Sequence, residues 1–138
     1  MVKKEVLQKR LKKAQEYLGY LEDIKERYNK EKFKNDPMVF GSIERFLHLL
    51  IEALIDIGNH IISDQNLGEV EFYKDIPRLL YQNNFINEDQ KEIFEQITGF
   101  RNILVHEYLE IDLDIVYEVL DNNLDDLKSI MREYAKLL

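Results

Sequence analysis

Cysteine is absent from this chain, so neither a disulfide nor a thiolate-ligated metal site can be built from it. Proline occurs twice and glycine five times in 138 residues, which leaves little to interrupt helices. No apolar run approaches the roughly 20 residues that a membrane-spanning helix needs. The opening stretch, "MVKKEVLQKRLKK", is basic but lacks an apolar core and a small-residue cleavage site, so it does not read as a signal peptide. Walker-type phosphate loops, serine elbows and zinc motifs are missing. So are strand-like alternation, internal repeats and low-complexity tracts. From these absences the expectation is a cytoplasmic protein with no membrane association and no cofactor.

What is present suits one helix-rich domain over residues 1–138, with 45% hydrophobic and 33% charged residues. The formal charge of −8 argues against non-specific nucleic-acid binding over the whole surface. The charge is uneven, however. Residues 1–34 hold 11 Lys/Arg against 6 Asp/Glu, while residues 35–138 hold 8 against 21. A basic first segment on an acidic body is either a solvated helix face or a guide for a polyanion.

Apolar spacing divides the chain into helices. Leu7, Leu11, Ala14, Leu18, Leu21 and Tyr28 share one face of a first helix, about 3–34. Asp36 with Pro37 begins a second, to about Ile62, in which Ile43, Phe46, Leu47, Leu50, Leu54, Ile57 and Ile61 predict the central element. A short helix starts at Asp75 and ends near Tyr81. Asn87, with Gln90 at the capping-box position, starts another. The last begins at Asp112 or Asp114 and points Val116, Leu120, Leu127, Met131, Tyr134 and Leu138 inward. The expected fold is an all-α, up-and-down bundle of four long helices and one short one.

Chemistry concentrates in "TGFRNILVHEYLEID", Thr98 to Asp112. With 100° per residue and Arg101 at zero, Phe94, Ile97, Leu104, Val105 and Tyr108 all fall within about 60°. Arg101 therefore sits in the middle of an apolar stripe, while Asn102 and His106 share an adjoining line. A guanidinium keeps its proton in any protein environment, so a charge on this stripe needs a partner or solvent. It either pairs with a buried carboxylate, Glu44 being a candidate, or lies in a wet cleft at a subunit interface facing an anion. Glu44, His48, Glu52, Asp56 and His60 also recur every four residues on one helix face. A di-iron bundle would need Glu-x-x-His on two helices, and this pattern does not supply it. A polar stripe lining the cleft, with Glu44 and His48 on it, is the other reading, and no metal ligand is assigned.

The run Arg101-Asn102-Ile103-Leu104-Val105-His106-Glu107-Tyr108 resembles the signature of HEPN-domain proteins: an arginine, a polar residue, a short spacer and a histidine. Its histidine-x-tyrosine ending is similar to that of HepT-type toxins. Glu44–Ile62, ending in Asp56, Asn59 and His60, resembles the second helix of that family, and Leu79–Asp89 resembles the segment leading into its motif helix. The resemblance implies a HEPN-like bundle and metal-independent RNA cleavage at a composite cleft of a homodimer. Arg101 and His106 would be catalytic, with Asn102 supporting them. It also implies a minimal nucleotidyltransferase antitoxin of the MntA type as partner, silencing the cleft by AMPylation of Tyr108. Residue chemistry agrees. An RNA strand carries its own nucleophile, imidazole exchanges protons near neutral pH, and guanidinium offers a rigid fork to phosphate oxygens. The alternative is a non-catalytic module that presents substrate to a nucleotidyltransferase.

Overall fold

A computed structural model describes residues 3–106 and 110–138. They form α1 (Lys4–Arg27), α2 (Lys30–Asn35), α3 (Pro37–Asp64), α4 (Asp75–Gln82), α5 (Glu88–His106), α6 (Leu113–Asn122) and α7 (Leu124–Ala135). Helix α3 packs against every other helix, with α1 along one side and α4, α5 and α7 around it. Its centrality follows from composition. Ile43, Leu47, Leu50, Ile51, Leu54, Ile57 and Ile61 are all fully buried, so the tertiary core outweighs the weak helix preference of β-branched residues. Phe46, expected inward with them, is only partly buried and stacks beside Tyr17 and Tyr20 at 6.4 and 5.0 Å.

Both end helices, expected to be continuous, are broken in two. After α1 the backbone turns extended at Tyr28, and the Asn29 side chain accepts a hydrogen bond from the Lys32 N–H to start α2. That break turns Phe33 completely inward. At the other end Asn123 closes α6 by donating its backbone N–H to the Val119 carbonyl, and α7 follows at once. The Asn29 side chain thus competes with the helical backbone, whereas the Asn123 amide donates to the Asp126 carboxylate at 3.1 Å. Leu138, expected inward, is exposed at the chain end.

The expected starts of the interior helices hold. The Asp36 carboxylate accepts the Met38 N–H ahead of Pro37, and Asp112 accepts the Asp114 N–H. Asn87 and Gln90 form a reciprocal capping box, each side chain accepting the other's backbone N–H at 2.8 Å. Gln90 also donates to the Ser129 hydroxyl at 2.8 Å, which ties α5 to α7. The rotation of α5 about its axis is thereby set one turn before Phe94 and Ile97 enter the core.

Candidate active site

Because Phe94 and Ile97 are buried, Arg101, four residues beyond Ile97, must face α3 as well. Its side chain is 14% exposed, so the charge is largely withdrawn from water. Three contacts compensate. The Nε–H donates to the Glu52 carboxylate of α3, an Nη1–H donates to the Asn102 amide oxygen at 3.3 Å, and the guanidinium lies 4.6 Å from the Tyr73 ring centre. Glu44 was the carboxylate expected to pair with Arg101, and Glu52 takes that place. The two lie eight residues apart on one face, but only Glu52 is level with Arg101.

Glu52 is held in turn. The His48 Nε2 stands 3.6 Å from its carboxylate, and the His48 Nδ1 is 3.4 Å from an Arg45 Nη. A guanidinium only donates, so the imidazole nitrogen is the acceptor where Arg45 and His48 hydrogen-bond. Glu52 thus stands between His48 and Arg101. Glu44 and His48 themselves line a separate groove of about 500 Å³ with Phe40, Leu104, Ile111 and Leu113. Burial there pushes the Glu44 carboxyl above its ordinary range.

The cleft that contains the motif measures about 910 Å³. Arg101, Asn102 and His106 line one wall with Thr98 and Gly99, and Phe72, Tyr73, Lys74 and Arg78 line the other. Asn102 and His106 are exposed, as their shared helix line predicts, and His106 is the last described residue of α5. No atom approaches within 4 Å of where a Gly99 Cβ would sit, so this glycine lies against open space. The segment carrying Phe72 and Tyr73 is fastened by Asp75, whose carboxylate accepts the Phe72 and Glu71 N–H groups at 2.9 and 3.1 Å. Those two bonds hold the Asp75 carboxyl below the usual range. Arg78 reaches the carboxylates of Glu95 at 3.7 Å and Asp75 at 4.0 Å.

The acidic and histidine stripe of α3 disperses among other partners. Asp56 pairs with Arg10, and His60 stands 3.2 Å from Asp64. Among the described residues no three His, Asp or Glu side chains converge as a metal set. No helix among them is long and apolar enough to cross a membrane. Tyr108 lies outside the described residues. The residues that sequence reasoning did not assign to the site are Glu52, Phe72 and Tyr73. Glu52 was visible only as one member of a four-residue repeat, and the two aromatics sit in a loop without periodicity.

Fold and cleft together define a class: an all-α bundle with arginine, asparagine and histidine on the last turns of one helix, suited to anion binding and proton transfer. Comparison with known proteins narrows it. The sequence pattern described as "Ribonuclease HepT-like" matches residues 14–134, and the chain belongs to that family. The mRNA nuclease HepT of Shewanella oneidensis is 38% identical over 99 residues, which are 72% of this chain and 74% of that protein. The structure of a tri-AMPylated HEPN toxin from Shewanella oneidensis in complex with its MNT antitoxin superposes with a TM-score of 0.86 at 29% identity, covering 95% of this chain and 97% of that one. The cytosolic protein YutE of Bacillus subtilis shares the fold at a TM-score of 0.86 with 20% identity, over 99% of this chain and 91% of that one.

Proposed function

We propose that the chain is the toxin of a toxin–antitoxin pair and cleaves RNA without a metal ion, at a cleft completed by a second copy of itself. The observation that carries this reading is the convergence of Arg101, Asn102 and His106 on one open cleft. In the reaction the substrate's own 2′-oxygen attacks the adjacent phosphorus and the 5′-oxygen leaves, forming a cyclic phosphate. One imidazole takes the 2′-hydroxyl proton and another protonates the leaving oxygen. Arg101, aligned by Glu52 and Tyr73, gives its remaining N–H groups to the phosphoryl oxygens. Each chain supplies one motif histidine, and a two-fold axis near the end of α5 supplies the second. The half-buried Ile103, Leu104 and Val105 leave apolar surface there for a partner copy to cover. The antitoxin is a nucleotidyltransferase that places AMP on Tyr108, adding an anion and a purine beside the arginine. The pair acts in the cytoplasm.

Arg101→Ala and His106→Ala each lower RNA cleavage roughly a hundredfold or more while circular dichroism stays native. Wild-type cleavage survives EDTA. Full activity in either variant overturns the site assignment, and loss in chelator overturns metal independence. A wild-type chain that leaves RNA intact and cell growth unaffected makes this a non-catalytic module.

A further inference from the structure

A second groove, of about 770 Å³, runs between α1, α3 and the segment before α4. It adjoins the motif cleft: Tyr73 lines both, and Glu52, which holds Arg101, lines this one. Its α1 wall presents Lys9, Arg10, Lys13 and Tyr17. These belong to the basic first segment, while residues 35–138 carry 8 Lys/Arg against 21 Asp/Glu. Arg10 is neutralised by Asp56, and Lys13 is shared with Glu16 at 3.2 Å. Lys9 makes no ion pair among the described residues and is exposed. Lys9 and Lys13 are one helical turn apart, about 6 Å along the axis. Aromatic surface lies on the cleft side of the boundary, with Tyr73, shared by groove and cleft, 39% exposed and Phe72, in the cleft alone, 63% exposed. Cations along one wall, an exposed Phe72 ring and the face of Tyr73 turned away from Arg101 are what a single nucleic-acid strand uses, phosphates on the first and bases stacked on the rings.

We propose that this groove is the bed for single-stranded RNA flanking the bond to be cut, with Lys9 and Lys13 meeting backbone phosphates and Phe72 and Tyr73 stacking bases. The proposal rests on the ribonuclease reading and deepens it. A polyanion is repelled by the acidic body, and the α1 side offers it a basic approach that leads to Arg101.

The test measures affinity of the full chain for 2′-O-methyl oligoribonucleotides of 3 and 12 nucleotides by fluorescence anisotropy across a salt series. Wild type binds the 12-mer more tightly. The Lys9→Gln/Lys13→Gln double variant weakens 12-mer binding about tenfold and flattens the salt dependence by about 1.4 in log–log slope, as expected for two lost single-strand phosphate contacts. Phe72→Ala weakens the 12-mer by about tenfold through lost stacking. Lys4→Gln/Lys12→Gln, exposed on α1 but outside the groove, changes the charge equally and leaves affinity within about twofold. Equal loss in that control reduces the effect to diffuse charge and overturns the bed. An unchanged RNA affinity with lost binding of the nucleotidyltransferase partner assigns the groove to protein and also overturns it. A wild type that cleaves RNA without length-dependent affinity removes the groove alone. A wild type that neither binds nor cleaves RNA removes the ribonuclease reading with it.

Discussion

Arg101 resolves the conflict between a permanent charge and an apolar helix face by local pairing rather than by solvent. Glu52 neutralises it, Tyr73 covers one face of its fork, and Asn102 takes a further N–H. In the proposed reaction, a guanidinium held on several sides loses little freedom when phosphate arrives. Tyr108, two residues past His106, is the proposed brake. Tyr108→Phe keeps ribonuclease activity and takes up no AMP when incubated with partner, ATP and magnesium, as read by intact-protein mass. Equal labelling of both proteins moves the site to another tyrosine. Glu44 yields a different test. Its folded-state pKa is raised by burial, so the folded chain binds that proton more tightly than the unfolded one. The associated stability is fully present below the ordinary glutamate range and is lost as pH rises through the raised value. Glu44→Gln therefore raises the melting temperature at pH 7, and the gain shrinks towards pH 4. A gain of the same size at both pH values contradicts the burial argument.

Elements are positioned by caps and close approaches more than by helix propensity. The capping box at Asn87 and the Gln90–Ser129 bond set the rotation of α5, and that rotation aims Arg101 at α3. Packing of α4 and α7 on α3 depends on Gly58. A Cβ there would stand 2.6 Å from an Ile76 methyl and 2.8 Å from the Tyr134 hydroxyl. That hydroxyl is buried, which pushes its pKa upward, and it donates to the Leu54 carbonyl at 2.9 Å. Gly58→Ala gains helix propensity but must displace both neighbours, so overpacking dominates. The expected result is a loss of about 1–3 kcal/mol in urea unfolding. A stability equal to or above wild type shows that α4 and α7 shift without cost.

At the scale of the whole molecule, the proposed mechanism needs two proton transfers, and each chain brings one motif histidine to it. The proposed two-fold assembly answers that need, with the half-buried Ile103–Val105 stretch as its proposed seam. Light scattering at micromolar concentration is expected to return at least twice the 16.6 kDa chain mass. A strictly monomeric mass sinks the composite cleft. Charge separation along the chain has its consequence at this scale too. The basic segment spans α1 and α2, and Lys9, Arg10 and Lys13 of α1 line the groove whose opposite side carries Glu52, the partner of Arg101.

The helical class and the location of the motif were legible in the sequence because they depend on local order. The 3.6-residue spacing of Leu7, Leu11, Ala14, Leu18 and Leu21 predicts a buried face, and all five are buried. Asp36-Pro37 and Asn87-x-x-Gln90 are caps whose atoms lie within one turn of each other. The same spacing puts Asn102 and His106 on one line of α5, and both meet the cleft. The breaks at Asn29 and Asn123 were not legible, because asparagine is tolerated within helices and only packing decides whether the chain turns there. Nor was the partner of Arg101. Glu44, His48, Glu52 and Asp56 are equivalent members of one helical repeat, and which of them meets Arg101 depends on how far α5 slides along α3. Tyr73 reaches the guanidinium from a loop held by Asp75, a contact between segments 28 residues apart that no periodicity encodes. Local spacing thus determined which side chains share a helix face, whereas the register between helices, set by the packed core, decided which of those side chains meet.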